Sequence, residues 1–463
     1  MASTSVPSPT SVIIIGAGFG GLSAGIELAR RGAKVQIFEA VPDMSRQGDV
    51  IQIGANATRL MEPWGRVLPE ITKLSALPSI MSIQDKNGKL LLDQTLHTEY
   101  EGYPNAYGNR GKIQSLLYQH AFSLGVKVNF GMPVTSIFET SSTAGIQIQG
   151  PEGEKYEAHC VIAADGVRSL SRSYVTGISE KPKKSGFAVY RSWFPLSALA
   201  EDPLTAPIAR AETPLFKIWI AEDTHAILTT NWSMKAATCF VTHKDTSDIR
   251  EDWNLPGNVA DMQACVDGWD PTLRGIISHI PADCLIDYKL LWRDPVRKWV
   301  SDQGRVCLLG DAAHPHLATS GTGAAQAIEG AATIGALMEA SGMKHEEIPL
   351  VFRAYEKLRY ERTSLTQRMG WETRHVWHQT DWDAVATNPD VLKLPQPAWL
   401  LGHDAGEYAK QRYDEVVNAI KNDAPFKSTN VPEGHVHDDW TIETMLAYEG
   451  LKVEKDFYKS RGE

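Results

Sequence analysis

Hydrophobic positions along this chain fall into two textures. The first is the short unbroken run. Val12-Ile13-Ile14-Ile15 is β-branched throughout and predicts a strand buried on both faces. Leu22, Ile26 and Ala29 then recur at helical spacing and predict a helix over about 20–31, and Lys34–Phe38 predicts a second strand. The same texture returns as a helix over 110–124, carrying Ile113, Leu116 and Leu117, and as a strand over 126–130. Val161–Ala164 and Arg305–Leu309 read as further buried strands, followed by long helices over about 323–341 and 346–371.

The second texture is alternation. Ile80–Gln84 and Leu90–Leu92 flank Lys86-Asn87-Gly88, whose Asn-Gly pair predicts a hairpin. From about 175 to 290, stretches such as Phe216–Ile220 and His225–Leu228 predict half-buried strands of an inserted, mostly antiparallel sheet. Beyond about 430 the chain is polar and predicts a loosely packed tail or cap. No internal repeat is present.

Three glycine-anchored motifs punctuate the buried runs. Gly16, Gly18 and Gly21 fill the G-x-G-x-x-G positions between the first strand and its helix. They suit a tight turn, a close approach of backbone to pyrophosphate, and close helix–strand packing. Glu39 ends the second strand 23 residues after Gly16, near the roughly 20-residue offset of a ribose-binding acid. Asp165-Gly166-Val167-Arg168 follows the middle strand, and Gly310-Asp311-Ala312-Ala313-His314-Pro315 follows the late one. Together they point to a dinucleotide gripped at both ends by distant segments of one sheet, with FAD the best fit.

Other residues extend this reading. Asp311, at a strand end, suits a polyol hydroxyl partner or a plain helix N-cap. Backbone N–H groups from Gly321, Gly323 and Ala324 can face an anion or an electron-rich ring edge. Arg110 and Arg168 are candidate donors to a pyrophosphate, or surface arginines. Tyr190-Arg191, in the aromatic stretch Phe187–Phe194, is the catalytic candidate. Its arginine suits a substrate carboxylate or phenolate or a transferred oxygen, unless it simply faces outward.

Composition narrows the class. The 463 residues suit two or three domains, and 46 basic against 56 acidic side chains leave a net charge of −10, which argues against nucleic acid. Lys181-Pro182-Lys183-Lys184, the densest basic cluster, reads as a solvated loop. The five cysteines have no C-x-x-C spacing, and Cys160 and Cys307 sit in apolar runs as buried thiols. His314 and His316 lack the spacing of a helical metal pair, so no metal is expected. Met1–Thr10 is no signal peptide and no run spans a membrane, so a cytoplasmic protein, monomer or homodimer, is expected.

These motifs resemble those of the single-component FAD-dependent aromatic hydroxylases, the relatives of p-hydroxybenzoate and salicylate hydroxylases. The resemblance covers roughly residues 10–370. Gly310–Leu317, Gln326-Ala327-Ile328-Glu329 and Gln52–Ala57 look most like the fungal branch. It implies an α/β fold: a Rossmann-like FAD-binding domain with an inserted, mostly antiparallel substrate sheet and a helical C-terminal region. The FAD-binding part would be discontinuous, over 1–75, 105–175 and 290–365. The substrate sheet would take 76–104 and 176–289, and the cap and tail 366–463. NADH or NADPH would serve as transient co-substrate and O2 as oxidant, through a C4a-hydroperoxyflavin. Asp165 and Arg168 would serve FAD and the nicotinamide, and segment 46–56 would cover the flavin ring. The family usually has proline near Ala318, glutamine at Thr322, aspartate at Gly330 and a small residue at Asp49.

For the substrate, the fungal branch offers two groups. One hydroxylates phenols or salicylates; the other epoxidises the indole of prenylated alkaloids at the 2,3-bond, with rearrangement to a spiro-oxindole. The second is favoured. Trp371, Trp377, Trp382 and Trp399 offer a cap for a bulky ligand, although tryptophans are more often core. Flavin halogenases are set aside for want of a W-x-W-x-I-P segment. A non-catalytic FAD-binding redox sensor is the reading from another class.

Overall fold

The run that opens the sequence becomes the middle strand of a five-stranded parallel sheet in the computed structural model, which describes residues 9–44, 48–150, 153–179, 181–245 and 256–448. Most of the polar N-terminal stretch, part of the 46–56 segment and the chain end lie outside the described residues. The sheet strands are β1 (Ser11–Ile15), β2 (Lys34–Phe38), β3 (Lys127–Asn129), β4 (Cys160–Ala163) and β5 (Val306–Leu308). Their spatial order is β3-β2-β1-β4-β5, so strands far apart in sequence meet in space. Both faces are covered, which is why the strands are continuous apolar runs. Helix α1 (Phe19–Ala29) leaves β1 and packs on α3 (Gly323–Ala340), while α2 (Arg110–Ser123) packs on α1. Asn109 caps α2 by accepting the Lys112 N–H at 3.0 Å.

The larger sheet is assembled from both excursions of the chain. Its main path runs 285–292, 183–192, 236–244, 224–231, 216–221, 80–85, 90–95. Every neighbour pair on this path is antiparallel except 216–221 with 80–85, which is parallel. The hairpin at Asn87-Gly88 forms as expected, with Gly88 at φ +82°.

Four expectations need correction. The strands over 216–221 and 224–231 are buried on both faces rather than half-buried. Trp219, Ala226 and Leu228 meet the helix bearing Leu273, Ile276 and Ile277, while Phe216, Ile218 and Ile220 meet Trp377, Val385 and Leu392. The helix expected over 346–371 is α4, Ile348–His378, which runs two further turns because no proline or cap intervenes. The polar stretch after 430 is docked as far as it is described. Trp440, Ile442 and Met445 are buried with Trp292, Leu317 and Trp371, and Trp440 Nε1 donates to Ser364 Oγ at 3.0 Å. Finally, Lys183 is no loop residue: it begins a strand and its Nζ pairs with Asp294 at 2.7 Å and Glu443 at 3.3 Å.

All five cysteines are free, and Cys160 and Cys307 lie buried as expected, the Cys160 thiol pushed up to about 12 by burial. Among the described residues, no helix is long and apolar enough to cross a membrane.

Candidate active site

The nucleotide end of the site is set by backbone shape. Gly16 turns the chain at φ +94°, and a Cβ there would lie 2.4 Å from the Ala164 carbonyl oxygen. A Cβ on Gly21 would lie 1.9 Å from the Gly16 oxygen, so the close approach of α1 to β1 needs its absence. Gly18 differs: a Cβ there would meet nothing within 4 Å. Gly18 is also the N-cap of α1 and supplies no capping side chain. Open space therefore faces unpaired N–H groups at a helix N-terminus, the setting that favours a pyrophosphate. Glu39 is buried beside this turn. Its carboxylate accepts the Ala17 N–H at 2.7 Å and the Val41 N–H at 3.0 Å. Gln114 Nε2 on α2 donates to the Ala17 oxygen at 2.7 Å, a brace that no local pattern announces.

Asp165 follows β4, but both its oxygens are engaged by its own loop. They accept Ser169 Oγ at 2.7 Å, Ser171 Oγ at 2.8 Å and Ser171 N at 3.1 Å, so the carboxylate organises the start of the helix over 170–176. Asp311 faces the open space at the end of β5, exposed there although protein crowds around its carboxyl. Burial raises its carboxyl above the ordinary range, and Arg110 acts against that rise. A carboxylate placed this way, with Arg110 near it and the Gly18 space also at the carboxyl edge of the parallel sheet, fits a ribityl-bearing dinucleotide such as FAD.

At the other end four of the expected residues converge with two more. Arg191 Nη1 lies 2.5 Å from Asp49 Oδ2, and its guanidinium sits 4.8 Å over the Tyr288 ring. The Arg110 N–H donates to the Asp49 carbonyl at 2.8 Å. Burial lowers the Arg110 guanidinium, Asp49 and Asp311 support its charge, and Arg191 opposes it. Tyr288 is pushed up to about 12 by burial, with Arg191, Arg110 and Arg168 pulling the other way. Arg110, Arg168, Arg191 and Asp311 thus share one space with Asp49 and Tyr288. Asp49 stood out in the sequence only as an acid where the family usually has a small residue. Tyr288 was missed, although strand register sets it beside Val189, on the face that carries Arg191.

Tyr190 is not part of this cluster. Side chains alternate across a strand, so it points to the opposite face. There it stacks on His243 with centroids 4.9 Å apart and packs with Phe194, Met262 and Leu273. Burial raises its phenol far above the ordinary value. The tryptophans do not form one cap either. Trp371 and Trp377 are core, Trp382 is 47% exposed, and Trp399 lies under the Arg362 guanidinium.

Gly321, at φ +61°, leads into α3, whose first turn holds Gly323 and Ala324. Helix α4 holds the loop before it. Gln367 Nε2 donates to the Pro315 oxygen at 2.9 Å, His316 Nε2 and Thr366 Oγ1 are 2.9 Å apart, and Thr319 Oγ1 donates to the Gly370 oxygen at 2.7 Å. At Gly330 a Cβ would lie 2.7 Å from the Leu309 Cδ1, so a side chain there requires the Leu309 end to shift.

Comparison with known proteins agrees with this geometry. A model of the FAD binding domain family matches residues 9–347. Asperlicin C monooxygenase of Petromyces alliaceus is 33% identical over 453 residues, covering 95% of each chain. The crystal structure of native FqzB superposes with a TM-score of 0.82 at 33% identity, covering 92% of this chain and 97% of FqzB. That of CtdE with FAD and its substrate gives 0.83 at 30% identity, covering 89% of this chain and 100% of CtdE.

Proposed function

The chain belongs to the FAD binding domain family and is an FAD-dependent monooxygenase; from that premise we propose that it oxygenates the indole of a fungal prenylated indole alkaloid by 2,3-epoxidation, with rearrangement to a spiro-oxindole. One atom of O2 enters the substrate, the other leaves as water, and NADH or NADPH supplies two electrons. Bound FAD supplies the redox chemistry that activates the oxygen. Gly16, Gly18, Gly21 and Glu39 would hold its adenosine and pyrophosphate. Asp311, Arg110 and the start of α3 at Gly321, Gly323 and Ala324 would hold its ribityl and ring end.

The observation that carries the substrate class is the Arg191–Asp49 pair. Arg191 is 11% exposed and already neutralised at 2.5 Å. A benzoate or salicylate carboxylate would have to compete with Asp49 for it. A neutral indole needs no counter-charge. Arg191 then acts as a hydrogen-bond donor to the oxygen as the epoxide C–O bond breaks, and Asp49 and Tyr288 keep its guanidinium in place. Asperlicin C monooxygenase, by its name, oxygenates asperlicin C rather than a simple phenol, which supports a bulkier substrate.

The test is NAD(P)H oxidation by the purified flavoprotein with prenylated indoles and simple phenols, products followed by mass. Strong stimulation by an indole with a gain of one oxygen supports the reading; stimulation by salicylates alone replaces it with the phenol-type hydroxylase. Arg191→Ala is expected to retain FAD and lose on the order of a hundredfold in product formation, as removal of one oxyanion donor does. A fully active variant removes Arg191 from the mechanism. Asp49→Asn is expected to raise the affinity for benzoates.

A further inference from the structure

We propose that Gln114 is a positioning residue for the flavin nucleotide: it fixes the peptide between Ala17 and Gly18 so that the Gly18 N–H is presented to the FAD pyrophosphate. This rests on the placement of the pyrophosphate at the Gly18 turn and adds the side chain that orients that turn.

The turn has little to hold it by itself. Ala17 is fully buried, and Gly18 has no Cβ, so the peptide between them rotates at small steric cost. Two side chains from distant segments hold the peptides on either side of the Ala17 α-carbon. Glu39 Oε2 accepts the Ala17 N–H at 2.7 Å and fixes the peptide before it. Gln114 Nε2 donates to the Ala17 oxygen at 2.7 Å and fixes the peptide after it. A carbonyl only accepts, so only the NH2 end of the Gln114 amide can face it.

The direction of the next N–H follows from this bond. The Ala17–Gly18 peptide is planar and trans, so its C=O and N–H point in opposite directions. With the oxygen held on Gln114, the Gly18 N–H is turned away from that side chain, and among the described residues it donates to no group. It is therefore free for an anion. Without the Gln114 donor the buried carbonyl would lose its partner, and the peptide could turn over. That would withdraw one donor from the pyrophosphate and set the negative end of a peptide dipole against it. Gln114 is 4% exposed and lies one helical turn after Arg110 on α2. The helix thus serves the cofactor twice, with a charge near Asp311 and with a neutral donor at the turn. A neutral amide suits the second task, because it holds the carbonyl without burying a charge.

The experiment dilutes the FAD-loaded protein and follows the rise of free-flavin fluorescence, which gives the FAD dissociation constant. Gln114→Leu keeps the size, removes the donor, and is expected to weaken FAD binding about tenfold. Gln114→Glu makes the donor switchable: its carboxylate cannot donate to a carbonyl, whereas its protonated form can. Burial raises such a carboxyl, so this variant is expected to bind FAD no better than Gln114→Leu at about pH 8 and to return to within about threefold of wild type at about pH 5. Recovery separates orientation from packing, because lost packing does not titrate. Wild-type affinity in Gln114→Leu, or a Gln114→Glu protein no better than Gln114→Leu at about pH 5, overturns the proposal. If Gln114→Leu yields no folded protein, the ratio of Gln114→Glu to wild type over the same range decides, and a flat ratio overturns it. Gly18→Ala tests the placement separately: FAD affinity equal to wild type in that variant removes the pyrophosphate from this turn and the proposal with it, whereas a loss there beside an unaffected Gln114→Leu overturns the role of Gln114 alone.

Discussion

The two ends of the site are built by opposite means. At the nucleotide end, backbone shape decides everything within a few residues: Gly16 and Gly18 lie on the turn between β1 and α1, and Gly21 in the first turn of α1. At the oxygenation end, side chains from distant segments converge: Asp49, Arg110, Arg191, Tyr288 and Asp311 share one space. A backbone-built end fails abruptly when a single atom is added. An end built from charges fails gradually, because each partner screens the others. The sharpest test of this contrast lies in two neighbouring glycines. Gly21→Ala forces a methyl to 1.9 Å from a backbone oxygen, and the expected outcome is a colourless protein that cannot hold FAD. Gly18→Ala meets no protein atom within 4 Å and is expected to fold and bind FAD more weakly. Visible flavin absorbance per protein chain measures both. Equal yellow colour in the two variants would break the comparison.

Between the ends lies a buried beam. Glu329 on α3 is bound by Arg359 at 2.5 Å and by Arg362 at 2.9 Å, both on α4. Burial alone would raise the Glu329 carboxyl, but Arg362 and Arg359 overcome it and hold it well below the usual range. Arg362 also donates to the Trp399 and Asn430 oxygens at 2.8 Å, tying the C-terminal segments to the nucleotide fold. Arg362→Ala leaves Glu329 with Arg359 but orphans the buried Trp399, Leu400 and Asn430 oxygens and empties the space the side chain fills, so it is expected to cost about 3–5 kcal/mol in urea unfolding. A loss below about 1 kcal/mol would mean the beam carries no load.

The next effect depends on pH and lies where the end of α4 meets the larger sheet. His225 Nδ1 and His378 Nε2 are 2.6 Å apart and buried. Burial, with Arg374 nearby, lowers His225 from 6.5 to about 3, and burial together with His225 lowers His378 to about 2. Both rings are therefore neutral in the folded protein, while the unfolded chain takes up protons below its ordinary value of 6.5. Stability is full above that value and falls as the pH drops below it. At about pH 5 each ring costs about 2 kcal/mol relative to neutral pH. His378→Gln removes one of them, so the variant is expected to lose about 2 kcal/mol less than wild type between pH 7 and 5. Parallel losses in the two proteins would contradict the assignment.

The same contrast explains what was legible in the chain. The βαβ start and the strands after which Asp165 and Asp311 fall depend on local spacing, and their elements appeared within a few residues of expectation. Arg191 was legible as a cation among aromatics. Its partner was not, because Asp49 lies 142 residues away and only the folded register brings them together. The same holds for Gln114 beneath Ala17, and for Glu329 with its two arginines on a different helix. The docked stretch around Trp440 read as polar tail because three apolar side chains in an otherwise polar stretch carry its packing. Tyr190 failed for a different reason: strand periodicity alone already separates it from Arg191.

That pair provides the smallest and most discriminating test. Tyr190 and Arg191 adjoin in sequence and face opposite sides of one strand, one toward the core with Met262 and Leu273, the other toward Asp49 and Tyr288. If position along the chain set function, removing the Tyr190 hydroxyl would impair turnover as Arg191→Ala does. If the face sets it, Tyr190→Phe keeps the ring that stacks on His243 and packs in the core, removes only a buried hydroxyl, and leaves the oxygenation end untouched. The expected result is product formation within about twofold of wild type, with a stability change under about 1 kcal/mol. A large loss of product with FAD retained would show that the two faces communicate through the strand, and the separation of core from chemistry drawn here would fall.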